Sequence, residues 1–190
     1  RVCVCVCVCV PEFVLLSRGP DGRLALATTP LSQSTPELSS CLTTNTAVFD
    51  LCRLYLENDE ISEVYALTSS FDPLYKKIKD HELAVVTMKS RKGVICVITN
   101  SRHCSFGYDQ RVELFGKKGM LLSGNKKIDS TELFNSKASN AQKPFLNFFI
   151  ERYNEAYNLQ LKELVSLHQS KIRSRSTFED GYMALKLANA

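Results

Sequence analysis

The chain has 190 residues, is 44% hydrophobic and 23% charged, and carries a formal net charge of +4. This length is enough for one domain with its own core, and the composition is that of an ordinary soluble globular protein. Four excess positive charges are too few to predict nucleic-acid binding, which needs basic residues concentrated on one face. No apolar run approaches the ~20 residues that cross a bilayer, so we expect a cytoplasmic protein without a membrane partner.

The first ten residues read RVCVCVCVCV, in which Cys3, Cys5, Cys7 and Cys9 alternate with valine. Alternation can place such thiols on one face of a strand, and clustered thiolates bind soft metals. Structural zinc sites, however, space their cysteines by two to four residues and take ligands from separate segments. We therefore favour a translated thymine–guanine dinucleotide repeat over a thiolate metal protein, and we predict no metal ligands.

Residues 11–46 contain four of the six prolines, many Ser and Thr residues, and no sustained hydrophobic period. Such a stretch buries too little apolar surface to offset the entropy lost on ordering. We therefore predict that residues 1–46 are low-complexity, either disordered or a gene-model artefact. The folded domain is predicted to span residues 47–190.

The spacing of apolar residues predicts the elements of this domain. A helix is predicted over residues 47–58, and strands over 61–68, 83–89, 94–100, 108–115 and 120–123. Ser90-Arg91-Lys92-Gly93 predicts a hairpin, because the turn ends in glycine. Residues 69–80 are interpreted as a connection with a turn at Pro73. Residues 124–144 are interpreted as a polar surface excursion with room for one more short strand.

Two helices are predicted to close the chain. The first begins near Phe145, where apolar residues recur at intervals of three and four. The second begins at Ser176-Thr177-Phe178-Glu179, which predicts a capping box with Ser176 as the cap and Glu179 reaching back. Consecutive strands followed by helices favour an α+β fold, with a largely antiparallel open sheet and helices on one face.

The residues alone predict no catalytic centre. Neither a G-x-G-x-x-G turn nor a Walker-type G-x-x-x-x-G-K-[ST] occurs, so nothing in the sequence cradles a pyrophosphate in the usual way. The three histidines, His81, His103 and His168, lie far apart, and no nucleophile elbow is present.

One long motif is more specific. Residues 100–116 read N-S-R-H-C-S-F-G-Y-D-Q-R-V-E-L-F-G. This stretch resembles the signature N-S-R-x-x-x-[YF]-G-Y-D-Q-R-x-E-x-F-G of the inositol 2-dehydrogenase branch of the Gfo/Idh/MocA oxidoreductases. The blocks that start at Phe49 (FDLCRLYL), Phe149 (FIERYNEAY) and Glu179 (EDGYMALKLA) resemble three further segments of that family, in the family's order. The resemblance covers about residues 47–190.

The resemblance implies the C-terminal domain of a polyol dehydrogenase, without the N-terminal Rossmann domain that binds NAD or NADP. Family members pass a hydride between nicotinamide and a secondary alcohol carbon of a polyol or sugar. In the family, the open sheet closes one side of the active site and often forms the oligomer interface. The implied partners are therefore a polyol or sugar substrate in the parent enzyme, and a second copy or a full-length relative bound through the sheet. No cofactor site is expected within this chain.

The sequence departs from the family where the chemistry is carried out. The region with the family's E-K-P lysine is missing. The family's Asp-x-x-x-His pair before the F-D-x-x-R helix falls on Thr43 and Ala47, and neither side chain can serve as a general base. We therefore assign no catalytic residue and expect a fragment that is inactive by itself.

Six residues of the matched motifs are candidates for named roles. Tyr108 matches a tyrosine placed to hydrogen-bond a substrate hydroxyl, and an equally good interpretation is that its ring packs on the sheet. Gln110 suits either role, binding substrate or supporting the fold. Structural contacts are expected of the charged residues Asp50, Arg53, Asp109 and Arg111. An alternative function stays open, that of a non-enzymatic oligomerising module derived from the enzyme.

Overall fold

A computed structural model describes residues 2–9, 15–18, 24–27, 46–57, 59–170, 174 and 176–190. Within them the strands are β1 Val2–Cys9, β2 Leu15–Arg18, β3 Leu24–Ala27, β4 Ile61–Ser69, β5 Leu83–Ser90, β6 Ile95–Ser101, β7 Asp109–Gly116, β8 Gly119–Ser123, β9 Glu132–Asn135 and β10 Ala138–Gln142. The helices are α1 Thr46–Leu56, α2 Pro73–Lys77, α3 Phe149–Ser170 and α4 Phe178–Ala188. Much of the predicted low-complexity segment 1–46 lies outside the described residues.

Six strands form one sheet in the order β4-β5-β6-β1-β7-β8. Every neighbouring pair is antiparallel except β1 and β6, which run parallel. Two hairpins, β2–β3 and β9–β10, form separate two-stranded sheets. The prediction of an α+β fold with a largely antiparallel sheet is confirmed.

Val2–Cys9 forms a strand in the middle of the sheet, which differs from the expectation of disorder for these residues. Val6 lies opposite Ile98 of β6 and opposite Val112 of β7. The Cys–Val repeat has the period of a strand, and Val6 is 2% exposed on the core face while Cys3 is half-buried. A sheet requires this alternation and free backbone groups rather than particular side chains, so a simple repeat can fill the position. The domain boundary at residue 47 stays a prediction.

The core lies between one face of the sheet and the helices. A row of side chains crosses the sheet at paired positions and is buried throughout: Val86, Ile98, Val6 and Val112. Helix α1 covers this face with apolar side chains that recur at helical spacing, all of them buried: Ala47, Val48, Phe49, Leu51, Cys52 and Leu56. Helix α4 adds Ala184 to the same cluster. Burial of this continuous apolar surface is the main stabilising contribution to the fold.

The opposite face of the sheet presents the alternate residues. It carries exposed apolar side chains on strands β4, β6, β7 and β8: Tyr65, Leu67, Ile95, Phe115, Met120 and Leu122. We call these six residues the open face. Because successive side chains of a strand point to opposite sides, the open face follows directly from the register that buries the core row.

The hairpin predicted at residues 90–93 is confirmed. Strands β5 and β6 pair antiparallel across it, and Gly93 has a φ of 82° that suits glycine. The connection predicted around Pro73 contains a helix instead. Asp72 caps α2, since its side chain accepts a hydrogen bond from the Leu74 N–H at 2.7 Å, and proline stands in the first turn, where no N–H is needed.

Two predicted helix starts are wrong by a few residues. Helix α3 begins at Phe149 rather than Phe145, because the preceding backbone is used elsewhere: Leu146 donates to the Lys126 carbonyl and accepts from the Tyr108 N–H. Helix α4 is capped by Thr177 rather than Ser176. Asp180, not Glu179, completes the capping box.

The predicted surface excursion at residues 124–144 contains the β9–β10 hairpin, two strands where one was expected. In the part of the chain that the structure describes, no helix combines the length and the apolar composition that crossing a membrane requires.

Candidate functional site

The matched motif at residues 100–116 spans the end of β6, the loop after it and the whole of β7, and a compact polar network fixes the start of β7. The buried Asp109 carboxylate accepts from Arg111 through Nε at 2.7 Å and Nη2 at 2.8 Å, and from the Asn125 amide. Asn125 also accepts from the Gln110 N–H at 2.8 Å. A buried carboxylate is tolerated only with such charge-assisted partners. Asp109 and Arg111, of which structural contacts were expected, lie together in this network, and their role stays a prediction.

Gly107 lets three segments of backbone meet at this point. Its φ is 111°, and a β-carbon there would lie 2.9 Å from the Phe145 carbonyl oxygen. The next residue, Tyr108, donates its N–H to the Leu146 carbonyl at 2.9 Å, and Leu146 donates to Lys126 at 3.0 Å. Glycine is required here for both its conformation and its size.

Tyr108 lies on the helix-facing side of β7 and is 2% exposed. Its ring meets the Tyr153 ring of α3 edge-on, with centroids 5.6 Å apart and an interplanar angle of 89°. Burial, together with the neighbouring Tyr153, raises the pKa of the Tyr108 hydroxyl far above its ordinary value, so the group stays protonated. The structure therefore places Tyr108 in a packed position, as a neutral hydroxyl group.

Gln110 lies two residues after Tyr108 and therefore on the same side of the strand. Its carbonyl oxygen accepts from Arg152 Nη2 of α3 at 2.9 Å, which joins the strand to the helix. The side-chain oxygen of Gln110 is inaccessible to solvent and has no hydrogen-bond partner within the described residues. Tyr108 and Gln110, the two predicted substrate-binding residues, thus lie together at the junction of β7 and α3.

Asp50 and Arg53 lie elsewhere, on α1. Arg53 Nη1 donates to Asp50 at 3.0 Å and to the Asp180 carbonyl oxygen of α4 at 2.9 Å. Its Nη2 lies 3.5 Å from the Asp180 carboxylate, which also belongs to the capping box of α4. These contacts join α1 to the start of α4, and a structural role for the pair stays a prediction.

The position that carries the family's histidine is held by Ala47, which is buried in α1, and Thr43 lies outside the described residues. Glycines with positive φ occur at Gly93, Gly107 and Gly119, and none of them connects a strand to a following helix as a pyrophosphate-binding turn does. The part of the chain that the structure describes therefore contains no such turn, and the absence of a cofactor site from this chain stays a prediction. Among the residues with described positions, no group of His, Cys, Asp and Glu side chains could hold a metal ion.

Three residues of this junction were not singled out from the sequence. Asn125 gave no signal, because it comes from a polar loop without a period. Arg152 and Tyr157 belong to the matched FIERYNEAY block, in which Tyr157 was interpreted as part of the apolar face of the helix and Arg152 as part of its other face. A buried polar role could have been inferred for them only from the pairing of β7 with α3.

Comparisons with known proteins agree with this fold. A family model described as the GFO/IDH/MocA C-terminal domain matches residues 33–122, beginning upstream of the predicted boundary. Myo-inositol 2-dehydrogenase of Thermotoga maritima is 36% identical over 143 residues, which cover 75% of this chain and 42% of that protein. The chain thus spans less than half the length of this curated relative.

Solved structures give the same result. A myo-inositol dehydrogenase from Corynebacterium glutamicum superposes with a TM-score of 0.78 at 29% identity, over 100% of this chain and 53% of that one. A scyllo-inositol dehydrogenase from Lactobacillus casei, with bound NAD(H) and scyllo-inositol, shares the fold with a TM-score of 0.76 at 19% identity, over 99% of this chain and 52% of that one. The chain belongs to the Gfo/Idh/MocA family and carries a C-terminal domain similar to those of inositol 2-dehydrogenases.

Proposed function

We propose that this chain provides the substrate-side wall of an NAD(P)-dependent, inositol-type polyol dehydrogenase. The observation that carries the proposal is the junction of β7 and α3, where the residues of the longest family motif converge. Tyr108 and Gln110 face α3 side by side, and the Asp109–Arg111–Asn125 network fixes the backbone from which they project. Pre-organised polar groups on a rigid strand are what selective recognition of a polyol requires.

In this proposal the chain binds and orients the polyol substrate and supplies no group that takes part in the reaction. The Tyr108 hydroxyl is held neutral, so it can donate a hydrogen bond to a hydroxyl of the substrate. Gln110 offers both an acceptor and a donor through its amide. Hydride transfer belongs to the nicotinamide, and no residue described here fits that cofactor or stands where the family's base acts. The whole reaction would therefore need a cofactor-binding fold beyond these 190 residues.

A turnover assay tests whether the chain is inactive by itself. We expect the purified 190-residue chain to show no reduction of NAD or NADP with myo-inositol or scyllo-inositol. Circular dichroism before and after the assay would show that the protein is folded. Turnover that follows the chain through purification, with no other subunit present, would contradict the proposal.

A second candidate function is self-association through the open face. Its apolar side chains are more than two-fifths exposed and lie on four of the six strands of the sheet, β4, β6, β7 and β8. Exposed apolar surface on one face of a sheet is a feature of interaction sites in soluble proteins. An isologous dimer would bury the same face of both copies, as two-fold symmetric dimers do.

Light scattering coupled to size exclusion tests the association. We expect a dimer or larger assembly for the native chain, and a lower mass for Leu122→Glu, which places a charge on the open face. Leu121→Glu is the matched control, because Leu121 is similarly exposed but on the other side of β8. A native chain that is monomeric at high concentration would rule out the second function.

A further inference from the structure

The sequence of strand β1 repeats with the same period as the strand itself. Residues 2–9 read VCVCVCVC, and the side chains of a strand return to the same face of the sheet every second residue. In the described register Val6 is buried in the core row, and Cys3, three positions away, belongs to the other face. Moving the whole strand by two residues therefore puts valine where valine was and cysteine where cysteine was.

The strands beside β1 do not distinguish one valine of the repeat from the next. The core row presents Ile98 of β6 and Val112 of β7 to the position that Val6 occupies, and any valine of the repeat completes this row equally well. The backbone hydrogen bonds of a sheet recur along each strand and do not depend on residue identity. A shift by one residue is excluded, because it would exchange the two faces, whereas a shift by two is not.

The described register is distinguished only by the pairs at the ends of β1. At one end Val2 lies opposite Gly116, and at the other Cys9 lies between Asp109 and Ser101. A shift by two residues changes these end pairs and leaves the pattern of the interior pairs unchanged. The choice of register therefore depends on a few terminal contacts and not on the core.

We propose that β1 is a sliding strand, which occupies the place between β6 and β7 in registers that differ by two residues. The core row stays complete in each register, because a valine always faces the helices. Each step changes the length of the connection between β1 and Leu15 by two residues. The proposal does not depend on dehydrogenase activity.

The sliding strand also explains how a translated thymine–guanine repeat can serve as a central strand. Three dinucleotide units make two codons, so every in-frame change in such a repeat adds or removes one Cys-Val pair. Because this pair has the period of a strand, the lengthened or shortened repeat still presents valine to one face and cysteine to the other.

Disulfide trapping in the full chain with Glu113→Cys reads the register directly. Glu113 lies opposite Cys5. The Cα atoms of residues directly opposite each other are about 4.5–5.5 Å apart, within the range of a disulfide, whereas diagonal neighbours are about 7–8 Å apart. After mild oxidation, fragment-ion sequencing of the linked peptide shows which cysteine of β1 is bound. We expect Cys5 together with Cys3 or Cys7, the cysteines that a shift by two residues brings to the same position.

Leu114→Cys is the matched control, because Leu114 is on the core face and lies opposite Val4. We expect no link between this variant and β1, since a shift by two residues again brings a valine there. Linkage of Glu113→Cys to Cys5 alone, at completion, would overturn the proposal by showing a single register. Equal linkage of Leu114→Cys would also overturn it, because the strand would then shift by one residue.

Length variants give a second test that does not depend on oxidation. A Cys-Val pair inserted after Val6 should leave the Tm within about 2 °C of the native value, because the longer repeat slides and keeps its faces. A single valine inserted at the same point should lower the Tm clearly, because one half of β1 is then out of phase with the core row. Equal losses of Tm in the two variants would contradict the sliding strand.

Discussion

Gly107 shows how one residue of the matched motif determines the geometry of the site. Its positive φ turns the chain from the β6–β7 loop into β7, and the absence of a side chain lets the Phe145 backbone approach closely. Both Tyr108 and Leu146 depend on that approach for their backbone hydrogen bond. The junction of β7 and α3 is therefore sensitive to a single added carbon atom.

Gly107→Ala should lower the free energy of unfolding by about 1–3 kcal/mol through backbone strain alone, with the contact against Phe145 adding to this. Urea unfolding at neutral pH measures the loss. Gly124→Ala is the control, because a β-carbon at Gly124 meets no atom within 4 Å. Equal stability of the two variants would show that the Gly107 contact is not as described.

Glu82 predicts a specific dependence of stability on pH. Its carboxylate accepts from the Phe71 and Asp72 N–H groups, each at 2.9 Å, and these bonds hold the pKa of Glu82 below its ordinary value of 4.5. A depressed pKa means that the ionised form stabilises the fold above 4.5, and that this contribution is lost as the pH falls through the folded-state pKa.

Glu82→Gln should therefore reduce stability at neutral pH and flatten its decline in acid. Urea midpoints measured from neutral pH down to the acid transition would show both effects. Glu60→Gln removes a carboxylate that is exposed and paired with Arg91, so it serves as the control. An acid decline that is as steep in Glu82→Gln as in the native chain would contradict the assignment.

At the scale of the element, β6 contributes residues to both faces of the sheet. Ile98 is fully buried in the core row, whereas Ile95 is 45% exposed on the open face. Ile98→Ala should cost about 2–5 kcal/mol through lost burial and the cavity left behind. Ile95→Ala should cost less than about 1 kcal/mol in the monomer. Chemical denaturation of both variants tests the register, and the reverse order of costs would refute it.

The sequence predicts most elements from residue 47 onward, because their apolar spacing agrees with their final burial. Helix α1 and strands β4 to β8 follow from period and turn residues alone. The capping box was placed one residue early, since Ser176 and Thr177 are both good caps and only the geometry separates them. Strand β1 was missed because repetitive composition outweighed its alternation, although alternation is what a central strand needs.

The candidate site was predictable only in part. Asp109 and Arg111 lie two residues apart on one strand, so their pairing could be expected from local sequence. Asn125 and Arg152 reach β7 from distant segments, and no local pattern predicts such contacts. The resemblance to a family identified the strand, whereas the partners that fix it required the three-dimensional arrangement.

At the scale of the whole molecule, the sheet has one face packed by helices and one face exposed. In the proposed enzyme the two faces of the sheet have different functions. The helix-side junction of β7 and α3 contributes to substrate recognition, and the open face contributes to association between copies. The chain covers 42% of the Thermotoga maritima relative. In the proposed enzyme, the cofactor and the catalytic base are supplied from outside the described residues.

The most direct measurement is turnover by a chimera. The Thermotoga maritima enzyme would keep its own sequence up to the F-D-x-x-R helix, and residues 49–190 of this chain would replace the remainder. We predict that this chimera reduces a nicotinamide cofactor in the presence of myo-inositol, whereas the chain alone does not. A chimera that is folded and binds the cofactor, yet never oxidises inositol, would contradict the claim that this domain forms the substrate-side wall.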